Sequence, residues 1–201
     1  MKQSRAIFLS AGVPDPSAKH FMGEGDTAAI SALVSALLYV ALGRRPIVWG
    51  GHPAITPMVW AYAEGLGVDY SKWVTLYQTD FFKDDFPEEN ERFKNVVVTE
   101  AVIGDRERSL ELMRRRMLSE STFDAAVFVG GMGGIFDESR LVQELAASAK
   151  ILPIGSTGGA AAALASEMKV DMDLSEELDY VALLFDQLAI DPNEPRSGAA
   201  L

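Results

Sequence analysis

Six short runs of branched and aromatic residues recur along the chain, each bounded by glycine or by polar residues. In order, they are RAIFLSAG, PIVWGG, WVTLYQTD, NVVVTEA, DAAVFVGG and KILPIGS. Because these runs show little strict alternation of apolar and polar residues, we interpret them as strands buried on both faces. Helical patterns lie between most of them, which favours crossover connections within a parallel sheet. The sequence therefore predicts a three-layer α/β domain with a mostly parallel central sheet and helices on both faces.

Start and stop signals give the bounds of the helices. The first is predicted over residues 27–42, where Asp26 or Thr27 can cap the free amides and Gly43 follows as a stop. Its surface is apolar nearly all round, so we expect it to be well buried. A second helix should begin near Thr56, with proline at its first position, and end by residue 65 or 67. Further helices are predicted over residues 106–119, 137–148, 158–168 and 175–188.

We interpret residues 1–190 as a single domain, because a chain of 201 residues with 48% hydrophobic residues can bury one sizeable core. Two segments lie outside the alternating pattern of strands and helices. The acidic stretch DFFKDDFPEENERF, residues 80–93, is expected to form a surface loop or a short excursion. The last residues, 191–201, are expected to form a flexible C-terminal tail.

Composition and charge exclude several classes of function. The chain has 18 basic and 29 acidic residues, a net charge of −11, so we expect no nucleic-acid partner. It has no cysteine, which excludes disulfides and thiolate sites, and its histidines, His20 and His52, lack a ligand pattern, so no metal site is predicted. No segment approaches the ~20 apolar residues of a membrane span, and the N-terminus lacks a secretory core. We expect a cytoplasmic protein without a membrane partner.

Glycine and other small residues cluster where four of the predicted strands end. These corners are SAGVPD, WGGHPAITP, VGGMGGIFDE and IGSTGGAAAA, and three of them contain glycine pairs. In an open parallel sheet, ligands bind beyond the carboxyl ends of the strands. Glycine lets the backbone approach a ligand, and the first amides of the following helix offer unpaired donors to an anion such as phosphate. A glycine pair can also serve only a tight turn, but several pairs at one edge favour a ligand site.

The order of the glycines argues against two common nucleotide motifs. No lysine follows them as in the GxxxxGKS/T loop of NTPases, and SAGVPD is not the GxGxxG fingerprint of dinucleotide-binding domains. We predict that the amides of residues 130–134 hold phosphate at a helix that begins near Asp137, and no separate cofactor is predicted. The residues predicted to bind the ligand are Ser10, Gly12, Gly50, Gly51, His52, Gly130, Gly131, Met132, Gly133, Gly134, Asp137, Ser156, Thr157, Gly158 and Gly159.

The corner after the fifth predicted strand resembles a known signature. Residues 130–138, GGMGGIFDE, are similar to the GGxGTxxE motif of the LOG and lysine-decarboxylase-like proteins, within the SLOG superfamily of Rossmann-like domains. Upstream, RERSLELMRRRM resembles the arginine-bearing helix that precedes this motif, and WGGHPAITP resembles the corner after the second strand. The similarity in order covers residues 7–168. It implies a Rossmann-like fold.

The resemblance implies two kinds of activity. LOG enzymes are phosphoribohydrolases that split the N-glycosidic bond of nucleoside 5′-monophosphates, and their signature glutamate and helix arginine serve the ribose and the leaving base. The matching residues here would be Glu138 and either Arg114 or Arg115, which are catalytic only if the protein is an enzyme. Other SLOG domains, in bacterial antiphage proteins and melastatin-type channels, bind nucleotide-derived ligands, often NAD-related, as sensors.

Two departures from the LOG motif favour binding over hydrolysis. Gly134 replaces the threonine whose hydroxyl helps to hold phosphate, and Val129 stands where the family usually has proline. Loss of the threonine side chain leaves the backbone amides in place to bind phosphate. Catalysis, in contrast, requires several side chains held in a precise geometry. We therefore favour a sensing or ligand-binding domain for a phosphorylated nucleoside or an NAD-derived nucleotide, with a nucleotide N-glycosidase as the alternative. A second alternative is an oligomeric scaffold without ligand, whose apolar helices, notably 27–42, serve oligomerisation. Whatever the function, we expect a homo-oligomer, with a dimer favoured.

Overall fold

The centre of the fold is a parallel sheet of six strands. The computed structural model describes residues 5–18, 23–69 and 72–197, so His20 lies outside the described residues. The strands are Ala6–Gly12 (β1), Ile47–Trp49 (β2), Val74–Thr79 (β3), Val96–Thr99 (β4), Phe123–Gly130 (β5) and Lys150–Ile154 (β6). Their order is β4-β3-β2-β1-β5-β6, and every pair is parallel. The strand order reverses between β1 and β5, and such a switch point opens a crevice at the carboxyl ends of the strands.

Helices connect the strands as the sequence predicts. Within the described ranges the α-helices are Thr27–Ala41 (α1), Thr56–Gly65 (α2), Arg106–Ser119 (α3), Gly134–Leu145 (α4), Gly159–Met168 (α5), Met172–Glu176 (α6) and Tyr180–Gln187 (α7). The predicted bounds of α1, α2, α3 and α5 are confirmed to within one residue. Two of the six helix predictions were wrong in their bounds.

The first correction concerns α4, which begins at Gly134 and not near residue 137. Gly133 already has helical backbone angles, with φ −48° and ψ −29°, and its carbonyl accepts from the amide of Phe136 at 3.1 Å. The glycine corner itself is therefore the first turn of the helix. Its free amides lie closer to the strand end than the sequence suggested.

The second correction concerns residues 175–188, which form the end of α6 and all of α7 instead of one helix. The side chain of Glu177 accepts from the amides of Leu178 and Asp179, both at 2.7 Å. Asp179 then caps α7 by accepting from the amide of Ala182 at 3.1 Å. These bonds between side chains and nearby amides compete with the helical hydrogen bonds and end the first helix.

The core lies in two layers, one on each face of the sheet. On one face α1, α2 and α7 pack on Ile7, Leu9 and their neighbours, and on the other α3, α4 and α5 pack on Phe8 and its neighbours. Because alternate residues of one strand point to opposite faces, both sets must be apolar, which explains the continuous apolar runs. The three-layer α/β architecture is confirmed.

Residues 80–93, predicted to form a surface loop or a short excursion, contain two short 3₁₀ segments. They are Asp80–Asp85 and Glu88–Arg92, and Thr79 caps the first by accepting from the amide of Phe81 at 3.4 Å. The guanidinium of Arg92 lies 5.4 Å from the ring centre of Trp60 on α2, which holds the second segment against that helix. The segment therefore has a defined position beside the carboxyl edge of the sheet.

The described part of the predicted tail, residues 191–197, contacts the end of α1. Glu194 forms an ion pair with Arg45 at 2.6 Å, and Arg196 donates to the carbonyl of Leu42 at 2.6 Å. Arginine at the last carbonyls of a helix satisfies unpaired acceptors and opposes the helix dipole. Residues 198–201 lie outside the described residues, so a flexible tail stays a prediction. No helix in the described part of the chain is both long enough and apolar enough to cross a membrane.

Replacing Phe8 with alanine should lower the free energy of unfolding by about 3–5 kcal/mol, because a fully buried ring is lost. Its ring contacts Phe123 and Phe128 edge-on, with ring centres 6.0 and 6.2 Å apart. Urea unfolding followed by circular dichroism measures the change. Ile103→Ala, at a side chain that is 99% exposed, is the control and should cost less than about 0.5 kcal/mol. Equal effects of the two substitutions would contradict this packing.

Candidate functional site

A cavity of about 960 Å³ lies at the carboxyl ends of β1, β2, β3 and β5. Loops that follow these four neighbouring strands line it, together with one face of α3 and the first turn of α4. Its volume is at the upper end of the roughly 300–1,000 Å³ that small-molecule sites occupy. The cavity is therefore large enough for a nucleotide.

The structure brings most of the predicted site residues together in this cavity. Three of the four glycine corners meet there, namely those after β1, β2 and β5. The predicted residues that line the cavity are Ser10, Gly12, Gly50, Gly51, His52, Arg114, Gly131, Met132, Gly133, Gly134, Asp137 and Glu138. The predicted residues that do not line it are Gly130, Arg115, Ser156, Thr157, Gly158 and Gly159.

The fourth corner, residues 155–159, supports the β5 loop from behind. The Thr157 hydroxyl accepts from the amide of Gly130 at 2.9 Å, and the amide of Gly159 donates to the carbonyl of Glu24 at 2.9 Å. A Cβ added to Gly159 would lie 2.7 Å from the carbonyl oxygen of Gly131, and φ there is +58°, so only glycine fits. These donors are consumed within the protein, which corrects the expectation that this corner faces the ligand.

Three consecutive amides remain unpaired where β5 leads into α4. The amide of Gly131 donates to the carbonyl of Gly12 at 2.7 Å, but those of Met132, Gly133 and Gly134 have no acceptor among the described residues. The helix also lacks a side-chain cap. Of residues 130–134, which were predicted to hold phosphate, only these three therefore have an amide available to an anion. The three amides lie at the positive end of the helix dipole.

Two other helix starts at this edge of the sheet, those of α1 and α3, are closed by aspartate. Asp26 caps α1 by accepting from the amides of Ala28 and Ala29 at 2.9 and 3.0 Å, and Asp105 caps α3. A carboxylate at these positions already satisfies the amides and opposes an incoming anion. These two helix starts are therefore closed to an anion, whereas the start of α4 has no side-chain cap.

A partly buried cluster of polar side chains connects α3, α4 and β1. Glu138 accepts at both carboxylate oxygens, from Ser10 Oγ at 2.5 Å and from Arg114 Nε at 3.0 Å. Arg114 also donates from Nη1 to Asp137 at 3.3 Å. The side chains of Arg114 and Glu138 are only 10% and 15% exposed, so this ion pair is shielded from water. The cluster fixes the carboxylate of Glu138 at the wall of the cavity.

The second terminal nitrogen of Arg114, Nη2, has no acceptor in the described part of the chain. It packs against the first residue of α4, since a Cβ added to Gly134 would lie 2.7 Å from it. Gly134 stands at the position of the LOG threonine, so its lack of a side chain makes room for the guanidinium. Nη2 thereby adds free N–H donors beside the three unpaired amides.

Of the two candidate arginines, Arg114 belongs to the cavity and Arg115 does not. Arg115 pairs with Glu111 at 3.1 Å and with Glu144 at 2.8 Å on the outer surface between α3 and α4. One residue along a helix turns a side chain by about 100°, which explains why neighbours reach different surroundings. The sequence left this choice open.

His52 reaches the cavity from the corner after β2. Its Nδ1 accepts from the amide of Ala54 at 3.2 Å, so the proton of the neutral ring lies on Nε2. Burial lowers the pKa of His52 below its usual value, which keeps the ring neutral at neutral pH. A Cβ added to Gly12 would lie 3.5 Å from Nε2, so this nitrogen lies beside the β1 corner. It can donate one hydrogen bond to a ligand.

Sequence reasoning missed one complete wall of the cavity. Phe82 and Asp85 come from the first 3₁₀ segment after β3, and Phe86 and Pro87 connect it to the second. Gln78 comes from the end of β3 itself. That strand end contains no glycine, so the rule that located the other corners passed over it. On α3, the lining residues Arg106, Leu110 and Met113 are spaced by four and three, a helical stripe that could have indicated an inward face.

A family model described as the SLOG cluster3 family matches residues 20–188. The chain belongs to the SLOG cluster3 family. No curated protein matches the chain. The resemblance to the SLOG superfamily is therefore confirmed, and membership supports a nucleotide-related ligand-binding or enzyme-like domain.

This SLOG domain has no group of three or more potential metal ligands among the residues that the structure describes. The donors that line the cavity include amides, guanidinium groups and an imidazole. Of its four carboxylates, Glu107, Asp137 and Glu138 each pair with arginine, and Asp85 has no such pair among the described residues. The site is suited to an anionic organic ligand.

Gly134→Ala should lower the free energy of unfolding by about 1–3 kcal/mol, since its new Cβ displaces the Arg114 guanidinium and weakens its bonds to Glu138. Gly133→Ala is the matched control, because nothing lies within 4 Å of an added Cβ and its φ is −48°. That substitution should be neutral or stabilise by up to about 1 kcal/mol. Urea unfolding of both variants measures the difference, and equal effects would contradict the contact between Arg114 and Gly134.

Proposed function

We propose that this SLOG domain binds a phosphorylated nucleoside or an NAD-derived nucleotide at the carboxyl ends of its strands, as a sensing or ligand-binding domain. One observation carries the proposal. The amides of Met132, Gly133 and Gly134 and the Nη2 group of Arg114 are all unpartnered within the described residues and surround the start of α4. Phosphate is the group whose oxygens can accept from all of these donors.

The phosphate contacts explain how an acidic protein holds an anion. The net charge of −11 gives no general attraction, so affinity must come from donors at short range. Each charge-assisted hydrogen bond in a shielded site contributes about 1.5–3 kcal/mol, and several together provide micromolar binding. Most of the guanidinium charge of Arg114 is balanced by Asp137 and Glu138, so Nη2 acts mainly as an oriented donor.

Glu138 is the proposed contact of the ribose. Each of its oxygens accepts one hydrogen bond within the protein, and a carboxylate oxygen has a further lone pair for a sugar hydroxyl. Its neighbour Gly134 lies one helical turn earlier, which places the ribose site next to the phosphate site. His52 Nε2, from the β2 corner, is the proposed donor to a ribose oxygen or to a ring nitrogen.

Binding is favoured over hydrolysis because Glu138 is engaged on both sides. Both oxygens of this carboxylate already accept hydrogen bonds from protein donors, Ser10 Oγ and Arg114 Nε. General acid–base cleavage of a sugar–base bond needs a group that can move a proton near neutral pH. His52 is the only neutral imidazole among the described residues of the cavity, and its burial favours the form that does not carry an extra proton.

Gly133→Asp should weaken binding of AMP, NAD and ADP-ribose by more than about tenfold, because it places a carboxylate at the proposed phosphate site. The backbone angles of Gly133 suit any residue, and the added side chain starts in open space. Gly133→Asn is the matched control of equal size and should change affinity by less than about threefold. Isothermal titration calorimetry on the full chain measures all three ligands.

Two results of that titration would count against the proposal. If the Asp and Asn variants lose affinity equally, phosphate does not bind at the start of α4. If no nucleotide binds or raises the melting temperature, the scaffold without ligand becomes the better interpretation.

Within the chain α1 packs on α2, α7 and the sheet, so most of its apolar surface is already covered. Self-association of this SLOG domain stays a prediction, to be checked by its mass in solution.

A nucleotide N-glycosidase is the alternative, and the position of Glu138 in the lining of the cavity favours it. In such a reaction the carboxylate stabilises the positive charge that develops on the sugar as its bond to the base breaks. Water supplies a hydroxyl to the sugar and a proton to the departing base. Incubation with AMP and other nucleoside 5′-monophosphates, with chromatography of the free base, tests it. Glu138→Gln should reduce release by at least about 100-fold. Glu144→Gln, on the same helix but outside the cavity, should leave the rate unchanged. Absence of release by the unaltered protein would exclude hydrolysis of these substrates.

A further inference from the structure

The wall of the cavity that follows β3 combines aromatic and charged groups. Phe82, Asp85 and Phe86 line it, and Phe81 packs edge-on against Phe82 with ring centres 5.0 Å apart. The guanidinium of Arg106 lies 5.7 Å from the ring centre of Phe82. Aromatic rings and an arginine plane are the surfaces on which nucleobases stack. We call Phe82, Asp85, Phe86 and Arg106 the ring wall.

Asp85 differs from the other carboxylates of the cavity. Asp137 and Glu138 pair with Arg114, and Glu107 pairs with Arg106. The side chain of Asp85 has no hydrogen bond or ion pair to any residue that the structure describes. Its two oxygens are therefore available to a ligand whose ring lies against Phe82 or Phe86.

The ring wall lies at the opposite end of the cavity from the start of α4. The two follow β3 and β5, which are three strand spacings apart, or roughly 14 Å. Along α3, Arg106 reaches the ring wall and Arg114 reaches α4, eight residues or about 12 Å apart. An extended nucleotide with phosphate on the α4 amides can reach the ring wall with its base.

We propose that the ring wall selects a guanine-type base, an inference that rests on the proposed nucleotide site. The edge of guanine carries two adjacent N–H donors, N1–H and the 2-amino group, which match the two acceptor oxygens of a carboxylate. The edge of adenine carries a donor beside the lone pair of N1, and that lone pair repels a carboxylate.

Calorimetric titration with the mono- and diphosphates of guanosine, inosine and adenosine tests the base selection. Guanosine nucleotides should bind at least about tenfold more tightly than adenosine nucleotides, with inosine, which has one of the two donors, in between. Asp85→Asn should weaken guanosine binding by about tenfold and strengthen adenosine binding, because an amide offers the donor and acceptor that adenine requires. Asp84→Asn, at an exposed neighbour outside the cavity, should change neither.

The outcomes separate the base selection from the nucleotide site. If guanosine and adenosine nucleotides bind equally and Gly133→Asp weakens both, the guanine preference is overturned and the phosphate site stands. A preference that Asp85→Asn leaves unchanged would also overturn the role of Asp85. If no nucleotide binds, both proposals are overturned. Asp85 is exposed, so unchanged circular dichroism of the variant is expected, and a changed spectrum would show that the side chain supports the fold instead.

Discussion

The buried pairing of Arg114 with Glu138 is the interaction on which the site depends. It connects α3 to α4 across the carboxyl edge of the sheet, and Ser10 on β1 adds the third attachment. An ion pair shielded from water stabilises little by itself, but the loss of one partner leaves a buried charge and is costly. The pair therefore fixes the relative position of three elements, and it holds the α4 amides open toward the cavity.

The glycines of the corner after β5 have different structural roles. Gly130 and Gly131 use their amides to attach the end of β5 to residues 157 and 12, whereas the next three amides have no acceptor in the described part of the chain. Gly134 adds room for the guanidinium of Arg114. A threonine there would offer one hydroxyl to a phosphate, and this SLOG domain offers an arginine nitrogen at the same place. The departure from the LOG motif therefore replaces a hydroxyl donor with a guanidinium donor. The donors beside the start of α4 remain suited to an anion.

Much of the fold followed from local pattern. The continuous apolar runs identified every strand of the described sheet, because a sheet covered on both faces needs apolar residues at every position. Helix bounds failed where a long-range or local contact decided them, as at Gly133 and Glu177. The glycine corners located three sides of the cavity, and the family signature identified Glu138.

The rest of the site depended on contacts between distant residues. Nothing in the run Arg114 to Arg116 indicates which guanidinium turns inward, since this depends on how α3 crosses the sheet. The fourth glycine corner resembles the others in sequence but packs against Glu24 and the β5 loop. All of the ring wall except Arg106 comes from an acidic segment that, judged by composition, is a solvated loop. Its position is set by aromatic contacts that a single sequence does not specify.

The central claim is that the free amides at the start of α4 bind phosphate, and an NMR titration of ¹⁵N-labelled protein with GMP tests it most directly. The amide signals of Met132, Gly133 and Gly134 should move in parallel with saturation. Those of Ala28 and Ala29, already bonded to Asp26, should stay in place. Saturable binding that leaves the three α4 amides unmoved would contradict the account.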